Sequence, residues 1–287
     1  MTPAREQIRR AYIDACYQEI EALKPGNVHR FADGHRMNAR QFFESAQVSS
    51  HAVCDPVLSM GRRILEGVTA TRNRIGTNTN LGILLLCVPL AKAAENVKSD
   101  LQSSLAETLE NLELDDARDV FSAIVLAQPG GLGSAPKHDV STAPEVPLLE
   151  AMREAADRDM IARQYVTGFG DIFAGGLSTH KAAIDRNEQG MWATVFVYLY
   201  FLSAFPDSHV ARKHGNIVAG NTRKEAVQIL KRIEGLSEGK EREKVLLAFD
   251  AKLKADGINP GTSADLTVAT LFALKLNLAL HNVEVNA

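Results

Sequence analysis

The chain has 287 residues, 45% of them hydrophobic and 23% charged, with a formal net charge of −3 and a pI near 6.3. That balance belongs to a globular protein with a sizeable core; it argues against disorder and withholds the broad positive field that a nucleic-acid polymer partner requires. Cys16, Cys54 and Cys87 show no Cys-x-x-Cys spacing and read as core thiols of a reducing compartment. With the polar, acid-bearing start Met1-Thr2-Pro3-Ala4-Arg5-Glu6, they make the cytoplasm the expected address.

Ile8, Tyr12, Ala15, Cys16, Ile20 and Leu23 recur at steps of three and four, predicting a first helix between Thr2-Pro3 and the stop Lys24-Pro25-Gly26. Asn38 with Gln41 resembles a capping box opening a second helix through Val53. Asp55-Pro56 opens a third to about Thr71, and Gly76-Thr77-Asn78-Thr79 opens an apolar fourth from Leu81. Helical patterns continue near 100–112, 115–127, 147–163, 165–186, 190–204, 208–219, 222–235, 240–255 and 263–281, divided by short Gly, Pro, Ser or Asp signals. The apolar runs Leu81 to Ala91 and Val195 to Phe205 are too short to cross a bilayer and read as buried helices, so no membrane partner is expected. With no alternating strand and no βαβ rhythm, the class is all-α, one compact multi-helix domain over 1–287. The one long irregular stretch, Gln128 to Pro147, carries Pro-Gly-Gly-Leu-Gly and then Lys137-His138-Asp139; loops of this length are often functional.

Walker, dinucleotide, zinc-protease and nucleophile-elbow signatures are absent. Four polar segments instead fall at helix boundaries, where free backbone N–H groups suit anions. In the first, Gly26 can let the backbone approach a phosphate while Lys24, Asn27, His29 and Arg30 supply donors; a plain helix stop is the alternative. The second places Asn78, Thr79 and Asn80 before an apolar helix, more hydrogen-bonding side chains than a cap needs. In the third, Asp207 caps a helix whose His209, Arg212 and Lys213 either face one anion or form a solvated basic face. The fourth, Asn259-Pro260-Gly261-Thr262-Ser263-Ala264-Asp265, is accounted for by capping, yet its acid can also hold magnesium or move a proton.

In their order and spacing, Lys24-Pro25-Gly26, Asn78-Thr79 with Gly82, Asp207 with Arg212 and Gly215, and Asn259-Pro260-Gly261-x-Ser263-Ala264-Asp265 resemble the motifs of the triphosphoribosyl-dephospho-CoA synthase family, over about residues 12–280. The resemblance implies a helical fold and displacement at the ribose C1 of ATP: adenine leaves, an acceptor hydroxyl enters, and the triphosphate stays on the transferred sugar. It also implies Mg2+ with the ATP. The partners so expected are ATP and a small cofactor-like acceptor of dephospho-CoA type, with self-association into a homo-oligomer left open. Lys24, Gly26, Asn27, His29, Asn78, Thr79, Asn80, Arg212, Lys213, Asn259, Gly261 and Ser263 are the candidates for nucleotide and phosphate. Asp207 and Asp265 are the metal candidates, and Asp139, His138, His209 and Asp265 the catalytic ones. Two alternatives stand beside this. Asn80-Leu81 replaces the His-Lys pair that the family carries there, and Pro129 to Gly133 with His138-Asp139-Val140 and Asp159 to Tyr165 resemble a branch from microbes with methanopterin-type one-carbon carriers. The acceptor is then a methanopterin- or methanofuran-type precursor, or the protein binds nucleotide without turnover.

Overall fold

A computed structural model describes residues 3–131, 133, 137–237 and 239–284. Leu132 and residues 134–136 of the predicted loop lie outside the described residues. Fourteen α-helices and one π-helical turn, and no strand, occur among those described. In chain order they are α1 (Pro3–Glu21), α2 (Ala39–Val53), α3 (Met60–Ile75), α4 (Leu81–Ala94), α5 (Leu101–Glu110), α6 (Leu114–Ala127), α7 (Leu148–Ala155) and α8 (Met160–Val166). The π-turn Asp171–Gly176 follows, then α9 (Leu177–Asp185), α10 (Trp192–Ala204), α11 (Ser208–His214), α12 (Asn216–Glu234), α13 (Gly239–Ala255) and α14 (Gly261–Glu284). The all-α class holds.

Local chemistry sets most of the boundaries. The Asn38–Gln41 capping box starts α2 as expected, and Gly76, at φ +80°, ends α3 in the left-handed region. Four expected boundaries move. α3 begins at Met60 because Ser59, not Asp55, accepts the cap bond from Arg62 N–H. The stretch 147–163 is two helices, since the Asp159 carboxylate takes the N–H groups of Ile161 and Ala162 and restarts the chain. Within 165–186, Gly168 and Phe169 both turn to φ +59°, the Phe169 ring fully buried, and a π-turn precedes α9. Gly215, at φ +87°, separates α11 from α12 earlier than the pattern suggests.

Two apolar clusters form the interior. One gathers α1 to α8 with parts of α10 and α14; the other gathers α10 to α13 with the exit of α1 and the entry of α14. α14 packs on α1, α4 and α10, and so runs between the clusters. Its segment Gly261–Leu280 is long and apolar enough to cross a membrane, a length that the two shorter runs noticed in the sequence lack, but 61% of its most apolar window is buried inside the protein, as in a core helix.

Candidate active site

The exit of α1 is held by a buried polar network. Lys24 is fully buried, and its ammonium donates to Glu19 Oε1, to Asn27 Oδ1 at 3.1 Å and to the Val28 carbonyl at 2.8 Å, a full set of acceptors for its three N–H bonds. Burial pushes Glu19 up and Lys24 down, and each is drawn back by the other's charge. Gly26 sits at φ +82°, donates its N–H to Asp250 Oδ1 at 2.8 Å, and would set a Cβ 2.8 Å from Pro260 Cδ. No side chain fits there. Asn27 Nδ2 donates to Asn259 Oδ1 at 2.8 Å, which joins the first segment to the fourth across 232 positions. His29 is buried, with Nε2 3.3 Å from Asp250 Oδ1, and Lys254 closes the group at 3.0 Å from the other Asp250 oxygen.

The entry of α4 turns its polar side chains inward. Asn78 Oδ1 accepts the Leu81 N–H at 3.1 Å, the Thr79 hydroxyl pairs with Ser45, and Asn80 Nδ2 donates to Ser49 Oγ at 3.3 Å. Asn78, not Asn80, therefore supplies the capping bond. One turn in, the bare face of Gly82 makes room for Asp265: a Cβ at Gly82 would lie 2.0 Å from Asp265 Oδ2.

The third and fourth segments are bound together by Asp207. One of its oxygens accepts the Val210 N–H at 3.1 Å and the other accepts the N–H and hydroxyl of Ser263 at 2.7 and 2.8 Å, so one carboxylate caps both α11 and α14. Those bonds leave little for a metal ion, the role expected of Asp207 from sequence. His209 lies against Gly261, where a Cβ would come 2.8 Å from Nδ1, and its buried Nε2 has no partner among the described residues. Burial, then the charges of Arg212 and Lys213, push His209 down to about 4. Arg212 donates to Asp159 Oδ2 at 2.6 Å, while its buried Nε is unpartnered among the described residues. The loop backbone crosses this helix: Gly131, at φ +74°, lies on the Arg212 carbonyl, and Gly130 lies on the Lys213 stem.

Asp265 is where these segments meet. Its carboxyl makes no hydrogen bond or ion pair with another described residue, and burial, then Glu19 and Asp207, push it well above the usual carboxylate range, against the pull of Arg212 and Lys24. Glu19, Lys24, Asp207 and Arg212 thus all act on one open carboxyl. His138 and Asp139 are placed differently: His138 turns to φ +51°, and Asp139 Oδ1 accepts the N–H and hydroxyl of Ser141 at 2.9 and 2.6 Å in a local turn. Among the described residues, no three His, Cys, Asp or Glu side chains gather as a metal centre.

Glu19 and Asp250 were not singled out from sequence, and Asp159 only as the first residue of the Asp159 to Tyr165 stretch. The signal for Glu19 was an acid in line with Ala15 and Leu23 on the apolar face of α1, and for Asp250 an acid among Leu246, Phe249 and Leu253; a charge on a buried face requires a partner.

Residues 5–283 match the family model CitG, described as ATP:dephospho-CoA triphosphoribosyl transferase. A crystal structure from Archaeoglobus fulgidus, provisionally assigned as a triphosphoribosyl-dephospho-CoA synthase, is 27% identical and superposes with a TM-score of 0.62, covering 82% of this chain and 97% of that one. None of the curated proteins matches.

Proposed function

The chain belongs to the ATP:dephospho-CoA triphosphoribosyl transferase family, and on that premise we propose how its residues divide the work. The family reaction moves the triphosphoribosyl group of ATP to a dephospho-CoA-type acceptor and releases adenine. The bond from ribose C1 to adenine breaks with its electron pair leaving on the base, and a bond from C1 to the acceptor oxygen forms. One proton must reach adenine and one must leave the acceptor hydroxyl.

Asp265 is assigned as the acid. A carboxyl pushed toward its neutral form by burial, and further by Glu19 and Asp207, can give its proton to departing adenine, and the carboxylate left behind faces the positive charge developing on the sugar. His209, driven toward its neutral form and with Nε2 unpartnered among the described residues, is assigned as the base for the acceptor hydroxyl. Arg212 and Lys213, with the Gly130–Gly131 backbone laid across them, hold the triphosphate. Lys24, Asn27, His29, Asn259 and Ser263 shape the floor, because apart from His29 Nδ1, which has no partner among the described residues, their polar groups are engaged with one another or with Asp207, Glu19 and Asp250. Magnesium, when bound, neutralises triphosphate charge. With no three His, Cys, Asp or Glu side chains gathered among the described residues, it fits as an ion that would be carried by the nucleotide phosphates, and Asp265, assigned to the proton, is not counted as its ligand. The three cysteines, all buried and unpaired, fit a cytoplasmic enzyme.

The observation carrying this reading is the open Asp265 carboxyl lodged against Gly82 where four segments meet. Asp265→Asn is expected to lower adenine release from ATP in the presence of dephospho-CoA by about 100-fold or more, the scale of a lost positioned acid, with ATP affinity retained. Unchanged turnover would remove Asp265 from the chemistry. One observation favours a second acceptor of methanopterin or methanofuran type: Asn80 is turned onto Ser49 and Leu81 is buried, so the α4 entry presents no cation there. Supplying such acceptors singly in the same assay decides between them, and failure of every acceptor to elicit adenine release would favour a binding protein without turnover.

A further inference from the structure

A groove of about 330 Å3 lies between α12 and α13, outside the cluster around Asp265 and near the small end of the roughly 300–1,000 Å3 range of small-molecule sites. Val218, Leu253 and Ile258 line it with apolar surface, and Asn221, Asp256 and His214 add polar groups. Lys252, also in the lining, donates to both oxygens of Glu225 at 2.6 Å, so its ammonium is already neutralised. With that pair neutral, the Asp256 carboxylate is the charge left in the lining and makes the groove unfavourable for a phosphate. What remains suits an uncharged ligand with N–H and O–H donors. The Asn221 amide can pair with another amide in both directions, and the Asp256 carboxylate can accept; neither bonds to another described residue.

The groove is physically joined to the site. Leu253 and Ile258 also press on Gly26, where a Cβ would lie 2.9 Å from Leu253 Cδ1 and 3.1 Å from the Ile258 carbonyl. His214, at the groove, directly follows Arg212 and Lys213 on α11, and hydrogen-bonds the Gly257 carbonyl at 3.2 Å. An acceptor whose reacting hydroxyl lies at His209 can therefore extend along α11 past His214 and lay its uncharged section between α12 and α13.

We propose that this groove binds the amide-bearing pantetheine arm of a coenzyme-A-type acceptor and thereby sets acceptor choice, an assignment that rests on the transferase reading above. The arm carries two secondary amides, a hydroxyl and a pair of methyl groups. Asn221 and Asp256 meet the polar groups, and Val218, Leu253 and Ile258 meet the methyls.

Pantetheine alone, which carries no nucleotide, is the probe. Titrated into isotope-labelled protein, it is expected to shift backbone amide signals of 214–225 and 252–258, and Val218→Trp, which fills the groove, is expected to abolish those shifts. In turnover assays Val218→Trp and the milder Asn221→Ala are each expected to raise KM for dephospho-CoA about tenfold or more, with KM for ATP unchanged. Pantetheine shifts that are absent or map elsewhere overturn the proposal, as do unchanged KM values in both variants or equal rises for both substrates in Asn221→Ala. The titration needs no turnover. Shifts in the groove without turnover of dephospho-CoA would sink dephospho-CoA as the transferase's acceptor and leave the groove a pantetheine-binding site, whereas turnover without shifts would do the reverse.

Discussion

His209 and Asp265 are displaced in opposite directions by the same surroundings. Burial penalises the charged form of each, which lowers a histidine and raises an acid, and the fixed charges around them add to the split: Arg212 and Lys213 beside His209, Glu19 and Asp207 beside Asp265. Groups so separated can act as base and acid at one pH. The displacement also has a consequence for stability. For His209, from 6.5 down to about 4, the unfolded chain binds more protons than the folded one between these values. Its contribution is present above 6.5 and is lost as pH falls through about 4. His209→Gln is expected to flatten the acid limb of stability over that window by up to about 1.4 kcal/mol per pH unit, the value of one proton. Urea unfolding at a series of pH values measures the slope, and an acid limb unchanged by the substitution would place the His209 titration near its ordinary value. Asp265 carries the opposite sign: its contribution is full below the ordinary carboxylate range and is lost as pH rises.

At the scale of the helices, close approach is set by a few glycines. Gly61, in the first turn of α3, donates its N–H to Asp116 Oδ1 at 2.7 Å, and a Cβ there would lie 2.5 Å from the Asp116 carbonyl oxygen on α6. Alanine is favoured over glycine inside a helix by about 1 kcal/mol, an advantage reduced in a first turn. The opposing atom is backbone, so relief requires α3 and α6 to separate, and overpacking of this kind costs roughly 1–3 kcal/mol. Gly61→Ala is expected to be destabilising by about that amount, read as a lower urea midpoint at unchanged m-value. A midpoint unchanged or raised would show that α6 yields. The same division between local and distant causes decides what the sequence discloses. The α1 periodicity, the Asn38–Gln41 box and the apolar α10 are written within a few residues of themselves, and each is readable. The Asp207 bonds to α14, the Asn27–Asn259 bond and the seat of Asp265 on Gly82 depend on partners scores of positions away. Motif order could show that such residues matter together, but not that Lys24 would have its donors filled or that Asp207 would be a double cap. The split of α7 from α8 and the π-turn were hidden for a different reason: the apolar spacing runs through them, and only the capping role of Asp159 and the reversed backbone at Gly168 and Phe169 interrupt it.

For the molecule as a whole, the two apolar clusters are threaded by the same three stretches of chain. α1 gives Cys16 to one and, at its exit, Leu23 to the other; α10 gives Phe201 and Tyr198; α14 gives Leu266 and Ala264. The polar network of Glu19, Lys24, Asp207 and Asp265 lies along these crossings, so neither cluster can open without disturbing the site. One cooperative unfolding transition is therefore expected, with calorimetric and van't Hoff enthalpies in agreement, as for a single domain. Ligand held by Arg212, Lys213 and the Gly130–Gly131 backbone should stabilise that whole unit in proportion to its phosphates. At about 100 times its Kd a ligand of the folded state adds about 2.7 kcal/mol, which for a chain of this size raises Tm by several degrees. With equal concentrations supplied, ATP with magnesium is expected to raise Tm by more than AMP does, and chelation of the magnesium is expected to remove part of the difference, since charge on the triphosphate then goes uncompensated beside the buried acids. Differential scanning calorimetry reads both halves of the prediction together. Equal shifts from ATP and AMP would mean that the cations of α11 do not hold the phosphate chain, and two transitions, only one of them moved by ATP, would mean that the site belongs to one cluster and not to the crossing of both.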